Sequence, residues 1–304
     1  MGRKYIVYQA YGSDAILNEA LYSMLSFYKI HGMNYREIKI VVYTDDPLHF
    51  ESVLGKERVE CRPLHADQVK QWRGAIDFVH RVKIETLLDF TSSLEDDEVL
   101  YLDSDIVFLK PVDDLFNKIK QDVFIMHEFE GKLNNSKFPL IVKMGKFIKG
   151  HHQELNVKGF EVPLNSGVWN AGAIGFKSSK KYILSKVLCF TDGFYTLYPK
   201  HIAEQFGFSL YLSKEGTVFN STEYLFHYWS FKEFRSILHD FFQYHKSQSS
   251  DLTKIIEEMD FISPIQMGEP KRVYDKMHWL PKAFRKLKKN RWEMPAYKYW
   301  EEKR

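Results

Sequence analysis

The sequence is organised around the stretch Val99-Leu100-Tyr101-Leu102-Asp103-Ser104-Asp105-Ile106-Val107-Phe108, an apolar run interrupted by two acids one residue apart. Val99 to Leu102 is typical of a short strand buried on both faces, as in a parallel sheet covered by helices. Ligands bind such sheets beyond the carboxyl ends of the strands, which is where the acids lie. If the backbone stays extended there, Asp103 and Asp105 project to the same side.

A pair of carboxylates in this place needs a partner of opposite charge. The two groups repel each other and lose solvation at the edge of an apolar layer. Hard divalent ions such as Mn²⁺ or Mg²⁺ prefer oxygen ligands and commonly bridge to a diphosphate. An acidic turn or a helix cap is the structural alternative for an isolated Asp-X-Asp. Because a buried strand leads directly into Asp103 and Asp105, the sequence favours a metal site.

Strand and helix patterns alternate around this stretch. Strands are predicted over 5–10, 38–44, 57–62, 122–126, 211–212 and 217–219, and helices over 18–30, 78–90, 112–119, 181–191 and 233–259. This alternation predicts an α/β fold with a mostly parallel sheet flanked by helices and built from βαβ units. Residues 130–165 show only weak periodicity and are predicted to form a loop-rich insertion or a lid over the site.

The length of 304 residues allows one large α/β domain with an appendage. We predict a main domain over 1–232, in which 130–165 is the insertion or lid over the site. A helical extension is predicted over 233–280 and a basic-aromatic tail over 281–304.

Basic residues concentrate in this tail. Residues 281–304 hold nine Lys or Arg against three Glu, whereas the whole chain carries a net charge of +3. The rest of the chain is therefore slightly acidic, which together with the lack of a recognition motif argues against nucleic-acid binding. The tail predicts contact with an anionic membrane surface, where each basic residue contributes about 1 kcal/mol. A solvated chain end is the alternative.

The cysteine content and the hydropathy bear on the compartment. Cys61 and Cys189 show no Cys-X-X-Cys spacing, which favours a reduced compartment. The sequence shows no signal-peptide pattern and no apolar span of 18 residues. We therefore expect a cytoplasmic protein, with peripheral attachment at the inner face of the membrane as the form that the tail would give it.

Four signals, taken in order, resemble the GT-A fold glycosyltransferases, most closely glycosyltransferase family 8, which includes bacterial lipopolysaccharide galactosyltransferases and glycogenin. The strongest is Val99 to Val107, an apolar strand followed by Asp-X-Asp. Trp169-Asn170-Ala171-Gly172 is similar to the family's Phe-Asn-Ala-Gly segment. Glu204-Gln205 matches its acid-glutamine pair, and Leu225-Phe226-His227 matches its histidine near the end of the catalytic domain.

The resemblance implies an enzyme that moves a sugar from a nucleotide-diphosphate donor, expected to be a UDP-sugar, to a glycan or glycolipid acceptor with retention of configuration. It implies that Asp103, Asp105 and His227 bind Mn²⁺ or Mg²⁺ and that the ion holds the donor's diphosphate. Such an ion neutralises the charge that grows on the departing nucleotide.

Further roles follow from the same resemblance. Gln205 would lie near the anomeric carbon, and Glu204 would orient the substrate or stabilise the cationic sugar. The implied donor-binding residues are Ala10, Tyr11 and Ser13 at the nucleoside, Arg81 and Asn170 at the sugar or its phosphates, and Ser104 and Lys232. The family follows its histidine with Gly and then Lys-Pro-Trp, whereas this chain has Tyr228-Trp229-Ser230-Phe231-Lys232.

Two alternatives stay open. Asp103-Ser104-Asp105-Ile106-Val107 also fits the Asp-X-Asp-X-Val motif of haloacid-dehalogenase-type, Mg²⁺-dependent phosphatases. That motif normally opens its fold, and the later Gly-Asp-X-X-X-Asp segment is missing here. A non-catalytic protein that binds a membrane surface through 281–304 is the second alternative, and it leaves Asp103 and Asp105 without an explanation. Taken alone, His227 among aromatic residues is most often a hydrogen-bonded core histidine.

Overall fold

The computed structural model describes residues 2–288 and 291–292. The strands are β1 (Lys4–Ala10), β2 (Ile38–Thr44), β3 (Val59–Pro63), β4 (Glu98–Leu102), β5 (Ile106–Phe108), β6 (Phe124–Met126), β7 (Phe129–Lys132), β8 (Gly167–Trp169), β9 (Ala173–Lys177), β10 (Val218–Asn220) and β11 (Leu225–His227). The α-helices are α1 (Asp14–His31), α2 (Pro47–Leu54), α3 (Ala66–Trp72), α4 (Arg81–Thr91), α5 (Asp113–Lys120), α6 (Pro139–Gly150), α7 (His152–Val157), α8 (Tyr182–Leu197), α9 (Ile202–Glu215), α10 (Phe234–Ser247), α11 (Leu252–Glu258), α12 (Pro264–Met267), α13 (Glu269–Lys276) and α14 (Trp279–Leu287).

The central sheet has seven strands in the order β10-β6-β9-β4-β1-β2-β3. Strands β4, β1, β2 and β3 are parallel neighbours, and β10 is parallel to β6. Only β9 in this sheet runs against its neighbours β4 and β6. A mostly parallel sheet flanked by helices confirms the predicted α/β fold class.

The two central strands are buried on both faces. In β1, Ile6 and Tyr8 pack into the core formed with α1, α5 and α10, while Val7 packs into the core formed with α4 and α8. In β4, Leu100 packs into the first of these cores and Tyr101 into the second. Side chains alternate between faces along a strand, so an uninterrupted apolar run is what a sheet covered on both sides requires.

The segments that carry the predicted site residues lie together at one edge of the sheet, the edge formed by the carboxyl ends of its parallel strands. Because β1, β2, β4 and β6 point the same way, the residues that follow them all lie at this edge. The antiparallel strand β9 begins there, which brings the preceding Asn170–Gly172 turn to the same place. The loops also contact each other, since the Gly12 backbone N–H donates to the Asp45 carboxylate at 2.9 Å.

Two predictions about secondary structure are wrong. Residues 130–165 are not loop-rich, because they contain the end of β7 and the helices α6 and α7. Helix α6 begins at Pro139, and its buried side chains pack with aromatic residues of α8 and α9 in a separate cluster. Residues 211–212 are not a strand but lie in the last turns of α9, which is buried along most of its length as far as Leu212.

The helical pattern predicted over 233–259 is confirmed, but the segment consists of two helices, α10 and α11. The chain turns between them at Ser249, which has a φ of +49°. Asp251 then starts α11 by accepting a hydrogen bond from the Lys254 backbone N–H at 2.9 Å. A side chain that caps a helix in this way favours a new start over continuation of the previous helix. No helix within the described ranges is long and apolar enough to cross a membrane.

The predicted tail over 281–304 lies only partly within the described residues. Helix α14 covers its start, together with Trp279 and Leu280. Residues 289–290 and 293–304 lie outside the part of the chain that the structure describes.

Candidate metal centre

The two acids follow β4 in a turn rather than in the extended conformation that the sequence suggested. The chain then enters β5, which pairs antiparallel with β11 so that Ile106 lies opposite His227. The Tyr228 backbone N–H also donates to the Asp105 carbonyl oxygen at 3.1 Å. This register brings together two segments that are 122 residues apart in the sequence.

Asp103, Asp105 and His227 form one cluster, as the sequence resemblance implied. One ligand atom from each residue lies within 4.8 Å of the other two. His227 Nε2 is 2.9 Å from Asp105 Oδ1. The side chains of Asp105 and His227 are buried, and that of Asp103 is partly exposed. Two carboxylates and one imidazole form a donor set that suits Mn²⁺ or Mg²⁺.

Asn170 determines which nitrogen of His227 faces the carboxylates. Its Oδ1 lies 2.9 Å from His227 Nδ1 and accepts the Gly172 backbone N–H at 2.9 Å. Its Nδ2 donates to Glu130 Oε1 at 3.2 Å, so both ends of the amide have partners that fix its orientation. Nδ1 must then donate to Oδ1, which leaves Nε2 as the ring nitrogen that faces Asp105. An imidazole nitrogen and a carboxylate oxygen that face each other can both bind a cation placed between them, so the residues present fit a metal ion.

Gly172 allows the ring of His227 to sit this close to the turn. A Cβ atom at position 172 would lie 2.6 Å from His227 Cε1. That distance is well inside van der Waals contact, and Asn170 Oδ1 would lie 3.0 Å away. A larger residue at this position would therefore displace the ring of His227.

Lys232, predicted to contact the donor, lies beside the metal cluster. Its Nζ is 2.8 Å from Asp105 Oδ2, and about half of its side chain is exposed. Burial would raise the pKa of Asp105, but the attraction of His227 and Lys232 outweighs burial and holds that pKa well below its usual range. Asp105 is therefore a carboxylate, the form that a cation requires.

Glu204 is buried beside a lysine that sequence reasoning did not assign to the site. Lys83 Nζ lies 3.1 Å from Glu204 Oε1 and 3.0 Å from Asp103 Oδ1. It also donates to the Ala171 carbonyl oxygen at 3.1 Å. Burial raises the pKa of Glu204 to about 7, although Lys83 opposes that rise. The sequence contained a signal for Lys83, which lies on the buried side of the predicted helix over 78–90. An unpaired lysine is rarely buried, so this position indicates a partner of opposite charge.

Glu130, which contacts Gln205, is a second residue that sequence reasoning missed. Gln205 Nε2 donates to Glu130 Oε2 at 2.8 Å, and Glu130 also holds Asn170. Burial raises the pKa of Glu130, while the two amide donors lower it. Glu130 was overlooked because the segment that begins with it had no readable pattern.

His127 is a third such residue, at the carboxyl end of β6. Its ring lies edge-on to that of His227, with 5.3 Å between the ring centroids. Burial, together with the neighbouring His227, lowers the pKa of His127 to about 4, so the ring is neutral near pH 7. Its Nε2 lies 3.2 Å from the Leu225 carbonyl oxygen. His127 therefore packs against the ring of His227 and adds no charge to the site.

Arg81 makes contacts other than those implied for a donor ligand. Its guanidinium donates to Asp192 at 2.8 Å, to Glu85 at 2.6 Å and to the Trp72 carbonyl oxygen at 2.6 Å. These bonds hold the start of α4 against α8 and α3. Lys83, two residues further on, is the cation of α4 that reaches Asp103. Contact of Arg81 with a donor stays a prediction.

The remaining predicted donor residues lie at the same edge of the sheet. Ala10 is the buried last residue of β1, Tyr11 is half-buried after it, and Ser13 directly precedes α1. Burial raises the pKa of the Tyr11 hydroxyl. Ser104 lies in the turn between the two acids. Their contacts with a nucleoside or a sugar stay predictions.

Solved structures that are similar to this chain are glycosyltransferases, the class of protein that the sequence resembles. Galactosyltransferase LgtC, solved in complex with donor and acceptor sugar analogues, is 14% identical with a TM-score of 0.47, over 71% of this chain and 73% of its own. Mouse xyloside xylosyltransferase 1 in its apo form is 11% identical with a TM-score of 0.45, over 72% of this chain and 85% of its own. Apo GlyE of Streptococcus pneumoniae TIGR4 is 14% identical with a TM-score of 0.44, over 73% of this chain and 46% of its own. No family model and no curated protein matches the chain.

Proposed function

We propose that this protein is a metal-dependent glycosyltransferase that moves a sugar from a nucleotide-diphosphate donor, expected to be a UDP-sugar, to a hydroxyl group of a glycan or glycolipid. The observation that supports this proposal most strongly is the cluster of Asp103, Asp105 and His227 at the carboxyl edge of the sheet. Retention of configuration belongs to the proposal through the sequence resemblance.

The metal-binding residues would act on the diphosphate. Asp103, Asp105 and His227 would hold Mn²⁺ or Mg²⁺, which supplies positive charge for a departing diphosphate when it is bound. The ammonium of Lys232 lies beside Asp105 and is half-exposed, so it can turn to a phosphate oxygen. Such a contact replaces one ion pair of the lysine with another, which keeps the cost of binding low.

Glu204 and Gln205 are proposed to act on the sugar. In the transfer the bond from the anomeric carbon to the phosphate oxygen breaks, and a bond from that carbon to the acceptor oxygen forms. The acceptor's hydroxyl proton leaves in the same reaction, and the departing diphosphate oxygen can accept it. Gln205 donates its Nε2 hydrogen to Glu130, so its carbonyl oxygen is free to accept a sugar hydroxyl or to face a cationic anomeric carbon. Glu204, whose pKa is about 7, would orient the sugar through Lys83.

In the proposed function, each part of the chain has its own role. The catalytic domain would comprise 1–232, and the segment 130–165, with α6 and α7, would border the acceptor site. Residues 233–280 would form a helical extension, and 281–304 a membrane-binding tail.

Helix α14 favours the proposed contact with an anionic membrane surface. It exposes Trp279 (67%), Phe284 (63%) and Leu287 (80%). Lys282, Arg285 and Lys286 lie on the same short helix. A helix with exposed apolar residues and several cations suits the boundary between anionic headgroups and acyl chains. This contact would hold the protein at the inner face of the membrane, close to a glycolipid acceptor.

Release of UDP from UDP-sugars in the presence of Mn²⁺ tests the proposed function. Asp103→Asn and Asp105→Asn should each abolish Mn²⁺-dependent release, because each removes a charged ligand. Asp240→Asn, at an exposed position of α10, is the matched control and should keep wild-type activity. Full activity in both site variants would contradict the metal assignment.

A further inference from the structure

Glu130 of β7 is an acidic side chain that joins two of the predicted site residues, Asn170 and Gln205. Its Oε1 accepts Asn170 Nδ2 at 3.2 Å, and its Oε2 accepts Gln205 Nε2 at 2.8 Å. Asn170 lies before β9 and Gln205 on α9, so these bonds hold together segments that are far apart in the sequence. Glu130 itself is not part of the metal cluster.

The carboxylate of Glu130 imposes a direction on each amide. Both carboxyl oxygens of Glu130 act as acceptors, so both amides turn their NH₂ groups toward it. For Asn170, this leaves Oδ1 on the opposite side. There it accepts the Gly172 backbone N–H and the Nδ1 hydrogen of His227, each at 2.9 Å.

We propose that Glu130 is a positioning residue that, through Asn170, keeps the Nδ1 hydrogen on His227 and directs Nε2 at the metal position. Through Gln205 the same carboxylate orients the second amide at the site. The proposal rests on the proposed function for the identity of the ligand that His227 binds. Hydrogen-bond partners of metal-binding histidines set the tautomer and the ring orientation, and their loss typically lowers metal affinity about 10–100-fold.

Two variants separate orientation from charge. Glu130→Ala removes both acceptors and frees the Asn170 amide. Glu130→Gln keeps an acceptor oxygen for Asn170 and offers its new NH₂ group to Gln205, whose amide can rotate to accept it. Asn170 cannot rotate as easily, because Gly172 N–H and His227 Nδ1 both require its oxygen.

Mn²⁺ affinity at pH 8, measured from the EPR signal of the free ion, is the first readout. We expect Glu130→Ala to weaken binding at least tenfold. Glu130→Gln should stay within about twofold of the wild type, since the Asn170 contact survives. Wild-type affinity in Glu130→Ala would overturn the proposal. An equal loss in both variants would also overturn it, because charge rather than orientation would then be the cause.

The ring ¹⁵N shifts of His227 in metal-free protein are the second readout, assigned with His227→Gln. In the wild type and in Glu130→Gln, Nδ1 should carry hydrogen, whereas in Glu130→Ala its shift should move toward that of an unprotonated nitrogen. An unchanged spectrum in folded Glu130→Ala would overturn the proposal. If the wild type binds no Mn²⁺, the proposed function fails, but these shifts still test the role of Glu130.

Discussion

Gly172 shows how strongly the candidate site depends on single atoms. Adding a methyl group there would place it 2.6 Å from His227 Cε1. We expect Gly172→Ala to displace the ring and to lower Mn²⁺ affinity at least tenfold, because the ring would no longer face Asp105. Gly150→Ala is the matched control, since a Cβ atom there meets nothing within 4 Å. Equal affinity in both variants, measured from the EPR signal of free Mn²⁺, would contradict this placement of His227.

Glu204 predicts a pH dependence of stability. Its ordinary pKa is 4.5, and burial raises it to about 7 in the folded protein. The folded protein therefore binds the proton more tightly than the unfolded chain does between these pH values. The stabilisation from Glu204 is complete below pH 4.5 and is lost as the pH rises to about 7, with a slope of at most about 1.4 kcal/mol per pH unit.

Glu204→Gln should remove this slope. The measurement is the free energy of unfolding in urea between pH 5 and pH 8, with EDTA present, for the wild type and the variant. We expect the wild type to lose stability relative to Glu204→Gln as the pH rises. Parallel curves for the two proteins would show that Glu204 titrates as it does in the unfolded chain.

The sequence identified the candidate metal cluster but not the residues that surround it. Asp103 and Asp105 follow a recognisable strand, and His227 was found by resemblance. Lys83 and Glu130 act through partners that lie 20 and 75 residues away, Asp103 and Gln205 respectively. Such contacts depend on how helices pack on the sheet, and no local pattern records that packing.

At the scale of elements, the pairing of β5 with β11 is what brings His227 to Asp105. The sequence predicted the strands β1, β2 and β4, because long apolar runs define them. It was wrong at 211–212, which it predicted as a strand although these residues lie in α9. It also missed the break between α10 and α11 at 248–251, where no Gly or Pro marks the end of the helix. The start of α11 became clear only from the hydrogen bond between the Asp251 side chain and Lys254 N–H.

Asp251 therefore provides a test at this scale. Asp251→Ala should lower the free energy of unfolding by about 1 kcal/mol, because it leaves a backbone N–H of the first turn without its partner. Asp251→Asn should change the stability little, since asparagine caps helices about as well as aspartate. Urea unfolding of the three proteins gives the comparison. A loss as large in Asp251→Asn as in Asp251→Ala would show that the cap is not the cause.

At the scale of the whole molecule, helix α14 presents the apolar and basic surface proposed to bind a membrane. Sedimentation with vesicles tests this surface. We expect the protein to bind vesicles with 30 mol% phosphatidylserine and to be released by salt, because surface attraction is screened within about 10 Å at 0.1 M ionic strength. Vesicles of phosphatidylcholine alone should bind it weakly.

Variants of exposed apolar residues provide the control for this experiment. Trp279→Ser combined with Phe284→Ser should reduce binding at least tenfold, since two inserted side chains are lost. Leu48→Ser changes an equally exposed apolar residue on α2 (72%) and should leave binding unchanged. Equal binding by all three proteins would place the membrane contact elsewhere or exclude it.

The most direct test of the central claim is the melting temperature of the full chain with nucleoside diphosphates, with and without Mn²⁺ or Mg²⁺. A ligand at 100 times its dissociation constant stabilises the folded state by about 2.7 kcal/mol, which is readily measured. We predict a shift with UDP that requires the metal and is absent in Asp105→Asn. A shift with Mg²⁺ and beryllofluoride, and none with any nucleoside diphosphate, would contradict the transferase and favour the phosphatase alternative.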